Sequence, residues 1–428
     1  KRRLSPEEVA LIESHDVPDI KFLKEPSRYY PVSGIGPVVG MTNIDNQGVS
    51  GIELMYNATL AGAPFTYTLE KDCRSSRFYI TRETLIEGSR GQPITLTIDG
   101  VLQFLAYEEL KDFARTMGAS SASVLICDPT NGDILVMANY PDFNPNSTGS
   151  IIQEHTKNRI ITDSYELGSV IKGFLALAAL EEGKVTPLDM IDCENRKKTR
   201  IAGVPVSTTK ENGIIPFEEV IRYSNNIGVA KVAQRLGTKL YDHYSRLGFG
   251  KKLGIFPGEN PGSITPPARW SNASLISLSF GYEISSNLVQ LAQAISIIAQ
   301  DGYRVPLRLL KTDTVPTPEG PLYKPKTIRD IKDILQKTIS KGAAVKARLN
   351  GYTVMGKTGT ARLITNGRYD STRHLFTFMS IVEKDSYKRV VVVSVKETTK
   401  RGLLASEIAA PLFERVAHKM LIHDKIIS

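Results

Sequence analysis

Two strand pairs far apart in the sequence limit what this chain can become. Residues 121–128 and 134–138 are apolar runs joined by the tight-turn string Asp128-Pro-Thr-Asn-Gly132, and they read as a β-hairpin. Residues 375–382 and 390–395 read as a second hairpin around Glu383-Lys-Asp385. Between them the apolar spacing predicts helices at about 169–182, 216–236, 287–301 and 327–341. Strands at both ends with helices between imply one α+β domain whose sheet is closed by chain-distant pieces.

That domain is expected to span 94–428. Residues 94–98 alternate like a strand and 101–117 have helical spacing. Residues 1–93 differ in character. They are punctuated by Gly and Pro, with short strand-like pieces and turns such as Asp45-Asn-Gln-Gly48, and a short helix is predicted over 7–13 after Ser5-Pro6. A chain of 428 residues can bury cores for two such units. At 41% hydrophobic and 23% charged residues it has an ordinary globular composition.

The net charge of +9, from 54 Lys plus Arg against 45 Asp plus Glu, is moderately basic. No Lys/Arg block is interleaved with aromatics, so no nucleic-acid partner is expected. Cys73, Cys127 and Cys193 are too sparse for a disulfide scaffold and lack zinc-site spacing. Cys127 reads as a buried strand thiol. No apolar run reaches the roughly 18–20 residues that span a bilayer.

Three strings carry the chemistry: Ser169-Val-Ile-Lys172, Ser224-Asn-Asn226 and Lys357-Thr-Gly-Thr360. Each has a bland reading: a snorkelling lysine, a helix cap, a strand end with a turn. Together they describe a nucleophile and its helpers. Ser169 and Lys172 stand at i and i+3 at a predicted helix start, so the amine can sit beside the hydroxyl. Lys172 serves as a base only when neutral. Burial and the second cation, Lys357, would push its pKa down, and a fall of ~3 units represents about 4 kcal/mol.

Ser224 is placed to relay a proton, and Asn226 to hold both Lys172 and a substrate amide. Lys357–Thr360 is expected on an edge strand, where Gly359 admits a substrate backbone. The Thr358 and Thr360 hydroxyls with Lys357 suit a terminal carboxylate. Backbone N–H groups of Ser169 and Thr360 would form an oxyanion hole. The chemistry needs no metal and no organic cofactor.

These strings in this order are the signature of penicillin-binding proteins and serine β-lactamases. The chain resembles the class B penicillin-binding proteins, specifically the division-specific septal peptidoglycan D,D-transpeptidases. The segment Asn158-Arg-Ile-Ile-Thr-Asp-Ser-Tyr-Glu-Leu-Gly-Ser169 is similar to the family's approach to its nucleophile. Arg269-Trp270, Ser279-Phe-Gly-Tyr282, Gly356–Ala361 and Asn366-Gly-Arg-Tyr369 resemble later family segments. Upstream, Arg28-Tyr-Tyr-Pro31, Gly40-Met-Thr-Asn43 and Gln47-Gly-Val-Ser-Gly-Ile-Glu53 resemble its non-catalytic, β-rich pedestal.

The resemblance implies a transpeptidase domain with an antiparallel sheet flanked by helices. Ser169 would acylate on a D-Ala-D-Ala stem-peptide end and pass the acyl group to a neighbouring stem, and β-lactams would stall it. It further implies an anchor before Lys1 in the bacterial inner membrane, a catalytic domain on the periplasmic side, and lipid-linked precursor as substrate. A septal glycosyltransferase and other division proteins are the implied partners. Leu167 stands where the family usually has Pro.

Alternatives remain: a serine β-lactamase, for which Glu283-Ile-Ser-Ser-Asn287 offers the E-x-x-x-N string of a deacylating glutamate; a catalytically silent sensor or scaffold; or a D,D-carboxypeptidase.

Overall fold

The computed structural model describes residues 4–15, 20, 22, 27–64, 66–71, 78–147, 149, 151–342, 344–400 and 402–425, so Cys73 lies outside the described residues. In chain order we label helix α1 (Pro6–Glu13), helix α2 (Gly100–Met117), strands β1 (Ser121–Cys127) and β2 (Ile134–Tyr140), and helices α3 (Lys172–Glu181), α4 (Phe217–Arg222), α5 (Asn226–Leu236), α6 (Leu288–Ala299) and α7 (Pro325–Ser340). Strands β3 (Thr353–Thr365), β4 (Arg368–Lys384) and β5 (Tyr387–Lys396) and helix α8 (Ala405–His423) follow.

The two distant hairpins do close one sheet. Its order is β3-β4-β5-β1-β2, antiparallel throughout, with Val390 opposite Cys127 and Lys396 opposite Ser121 at the junction. The central strands are buried on both faces, which is why β5 reads as an unbroken valine run. Alternation then sorts the side chains. Val390 and Val392 enter a core with Phe174 of α3, Val229 of α5, Ile295 of α6 and Ile334 of α7. Val391, Val393 and Val395 enter a second core, with Leu110 of α2 and Phe413 of α8. The sheet is therefore a wall between two cores, and β3 is one of its edges, covered over most of its length by the helical layer and the Ser169 turn.

The N-terminal region carries helical turns as well as hairpins. Ser5 caps α1 in a reciprocal capping box with Glu8. Ile35, Val38 and Ile52 are buried in the same core as α3 and α6, so this part of the region is seated in the larger unit.

Three local expectations change. Residues 94–98 form no strand. Thr97 N–H reaches Leu309 O at 2.8 Å and Asp99 N–H reaches Leu135 O at 3.0 Å, so the segment is divided between partners and keeps a single bridge, Leu96 to Leu310. The predicted helix at 169–182 opens with a 3₁₀ turn, Gly168–Ile171, before α3 begins at Lys172. The predicted helix at 216–236 is broken at residues 223–225 into α4 and α5. Apolar spacing persists across that break, so periodicity could not reveal it.

Candidate active site

A 3₁₀ turn, Gly168–Ile171, carries Ser169 one turn ahead of Lys172, the first residue of α3. With three residues per turn, i and i+3 eclipse one another. Lys172 is fully buried, and its Nζ donates to Ser224 O at 2.7 Å and Asn226 Oδ1 at 2.5 Å, with Ser224 Oγ at 3.0 Å. The first two acceptors are carbonyl oxygens and must receive N–H bonds. A neutral amine satisfies both and keeps its lone pair for a hydroxyl proton. Burial first, and the Lys357 charge second, hold the Lys172 pKa well below the ordinary lysine value. Ser169 lines the adjoining cavity, of about 270 Å³, and its hydroxyl makes no hydrogen bond among the described residues.

Ser224 is the most constrained residue of the site. Helix α4 ends in a Schellman motif: Ser224 N–H bonds Ile221 O at 3.1 Å, and Asn225 N–H bonds Val220 O at 2.9 Å. That geometry requires a left-handed residue, usually glycine, and Ser224 fills it with φ +57°. The strain presents the Ser224 carbonyl to Lys172 and its hydroxyl to two amines, since Lys357 Nζ lies 3.1 Å from the same Oγ. Asn225 then caps α5, its side chain accepting from Gly228 N–H. Asn226, the first residue of α5, gives one N–H of its amide to Ser207 O at 2.6 Å and keeps a second.

On edge strand β3, Lys357 is 3% exposed, and burial pushes its pKa down to about 8. Thr358 and Thr360 alternate with it and line the cavity. Thr360 Oγ1 also accepts the Ala405 N–H at 3.1 Å, where α8 begins, which leaves that hydroxyl its proton to donate.

Gly359 has a packing role beside the one expected of it. A Cβ there would meet Val170 Cγ2 at 2.4 Å and Leu167 O at 2.8 Å, so its missing side chain makes room for the Ser169 turn. Gly168, at φ +53°, packs from the other side, where a Cβ would stand 2.8 Å from Thr360 O. Turn and strand are held in close contact by two glycines. Leu167 has φ −80° and follows the extended Glu166, a backbone that proline would also adopt, and its side chain is buried in the helical core.

Sequence reasoning left Tyr223 and Arg362 unremarked, and both line the cavity. Tyr223 is the neighbour of Ser224, and Arg362 continues the alternation of Thr358 and Thr360, which is the signal that could have found them. The E-x-x-x-N string is structural. Asn287 caps α6 in a capping box with Gln290 and donates to Asn260 O at 2.9 Å. Among the described residues no group of three or more His, Cys, Asp or Glu is placed to hold a metal ion. The arrangement offers an unbonded hydroxyl on the cavity wall, a buried amine whose pKa is held down, and a second amine linked to it through one serine.

Comparison with known proteins agrees with this chemistry. The family model of the penicillin-binding protein transpeptidase domain matches residues 122–418. A Pseudomonas aeruginosa protein named probable peptidoglycan D,D-transpeptidase PbpC is 34% identical, over 97% of this chain and 74% of its own length. Peptidoglycan D,D-transpeptidase FtsI of Escherichia coli K12 is 30% identical, over 96% of this chain and 70% of its own length. The crystal structure of penicillin binding protein 3 from Mycobacterium tuberculosis with aztreonam aligns at TM-score 0.80 and 25% identity, covering 93% of this chain and 90% of that one.

Proposed function

This chain belongs to the penicillin-binding protein transpeptidase family, and from that premise we propose that Ser169 is the acylated nucleophile of a peptidoglycan D,D-transpeptidase, with Lys172 as its general base. The observation that carries the assignment is the buried Lys172 amine, bound to two carbonyl oxygens and linked through Ser224 Oγ to Lys357 beside the Ser169 cavity.

In the first half-reaction Ser169 Oγ attacks the penultimate D-Ala carbonyl of a stem peptide and its proton passes to Lys172. Backbone N–H groups of Ser169 and Thr360 hold the oxyanion. Collapse breaks the peptide bond, and the leaving D-Ala amine takes its proton from Lys172 through Ser224. The leaving carboxylate rests on Lys357 and the Thr358 and Thr360 hydroxyls. Asn226 offers its second N–H to the stem's backbone carbonyl, and Gly359 keeps the turn against the strand. In the second half-reaction the amine of a neighbouring stem attacks the ester, gives up its proton along the same path, and regenerates Ser169.

β-Lactams enter the first step and stall at the acyl-enzyme. We read residues 1–93 as a pedestal and 94–428 as the catalytic domain, with the segment around Ile35, Val38 and Ile52 seated in the catalytic core. By family resemblance we place the protein on the outer side of the bacterial inner membrane at the division septum, working on lipid-linked precursor with a septal glycosyltransferase and other division proteins. No helix among the described residues is long and apolar enough to cross a membrane.

Intact-mass measurement after penicillin treatment, wild type against Ser169→Ala, tests the nucleophile. We expect one long-lived adduct in wild type and none in the variant. An adduct that persists in the variant overturns the assignment, and rapid turnover by wild type points to a β-lactamase. Cross-linking of a cell-wall precursor in the presence of division partners tests the second half-reaction. Acylation without any cross-link there would favour a sensor or scaffold.

A further inference from the structure

A carboxylate three residues before Ser169, outside the proton path, ties together two segments that flank the Ser169 turn. Glu166 lies in a short strand, Tyr165–Glu166, paired with Ile284–Ser286. Its Oε1 accepts the Glu283 N–H at 2.9 Å and the Tyr369 hydroxyl at 3.0 Å. Its Oε2 is buried without a partner, and burial raises the carboxyl pKa. Burying a carboxylate is costly unless it is hydrogen-bonded, and here the two bonds to Oε1 are what offset that cost.

Three pieces meet around Glu166, two of them on its Oε1. The first is the turn itself, three residues downstream. The second is the loop containing Gly281, Tyr282 and Glu283. Gly281 O accepts the Gly168 N–H at 3.2 Å, and a Cβ on Gly281 would sit 2.1 Å from Gly168 O. Glu283 stands at φ +59°, a left-handed backbone that a glutamate holds only when its surroundings enforce it. The third is the β3–β4 hairpin tip, which carries Tyr369. The Tyr282 ring, a wall of the Ser169 cavity, packs edge-on against Tyr369 at 5.0 Å and Phe280 at 5.8 Å.

We propose that Glu166 is a positioning residue for acylation: by binding Glu283 N–H and the Tyr369 hydroxyl on one oxygen, it clamps the Tyr282 loop and the hairpin tip against the Ser169 turn. The inner jaw of this clamp is Thr360 on β3, and the outer jaw is the loop that Glu166 secures. The proposal rests on Ser169 being the nucleophile.

The test measures acylation of the full chain by a fluorescent penicillin and by a thioester analogue of an acyl-D-Ala end, with thermal melts alongside. Glu166→Ala should lower the saturating acylation rate about tenfold or more with both probes and change probe affinity little, as expected for loss of hydrogen bonds to a charged group. Glu166→Gln keeps an acceptor oxygen and should stay within about threefold of wild type. Tyr369→Phe should lose less than Glu166→Ala and add little on top of it in the double variant.

Wild-type rates in Glu166→Ala or in Tyr369→Phe overturn the clamp. So does a loss confined to one probe, which marks a contact with that ligand's side chain. An equal fall of rate and melting temperature in Glu166→Ala and Glu166→Gln also overturns it, leaving a fold-stabilising role. Should Glu166→Ala not fold, the half-exposed Tyr369→Phe decides alone. A wild type that is never acylated refutes the Ser169 reading itself, a distinct result.

Discussion

At the scale of single residues, two amines share one serine, and the proposed mechanism needs them in opposite charge states. Lys172 works when neutral and is held well below the ordinary lysine pKa, so acylation should rise with pH as it deprotonates. Lys357 works when charged and is pushed down to about 8, so the rate should fall again as pH passes that value. A bell-shaped profile of second-order acylation by penicillin is expected, its limbs belonging to the coupled pair. The descending limb should vanish with a ligand that lacks the carboxylate. Ser224 supports both amines through one hydroxyl. Ser224→Ala should cut acylation by ~10²–10⁴, measured by stopped-flow labelling.

Among the elements, the break between α4 and α5 and the contact between the Ser169 turn and β3 decide whether these residues meet. Ser224→Gly relieves a left-handed strain of about 1–2 kcal/mol while deleting the hydroxyl. Its melting temperature should rise as its acylation rate collapses, opposite signs that a merely structural serine would not produce. Gly359→Ala drives a methyl into Val170 and the Leu167 carbonyl. Overpacking of this kind costs about 1–3 kcal/mol, and here it separates turn from strand. We expect slower acylation by penicillin with a modest loss of stability in urea, while Gly367→Ala at the hairpin tip, where a Cβ meets nothing within 4 Å, should leave acylation unchanged. Gly367 itself has φ +75°, so the control carries some strain but no contact with the turn.

Over the whole molecule, the N-terminal region and the larger unit share one core. Burying a side chain such as Ile35, Val38 or Ile52 stabilises by up to about 1.5–3 kcal/mol each. A fragment beginning at residue 94 should therefore unfold at lower urea than the full chain. Equal midpoints would mean that the catalytic unit does not depend on that seat. The two-faced burial of β5 makes a matching prediction. Val392→Ala opens the helical core and Val393→Ala the opposite one, and each should cost about 2–4 kcal/mol in urea unfolding. Only Val392→Ala faces the core that carries α3 and Lys172, so it should also slow acylation.

Much of this was legible beforehand because it is written in local pattern. The valine run, the turn strings and the helix spacing specify which elements form, since they depend on near neighbours. Ser169 and Lys172 could be paired from an i, i+3 spacing, and the three strings named the chemistry through residue type and order. What tertiary structure alone decided depends on contacts between distant segments. The left-handed Ser224 is set by a Schellman motif hidden under continuous apolar spacing. Gly359 accommodates the Ser169 turn because Val170 and Leu167 pack over it. Residues 94–98 fail as a strand because their partners are divided. Glu166 meets Tyr369 across 203 positions of sequence, a distance over which local pattern carries no information and only the packed fold brings side chains together.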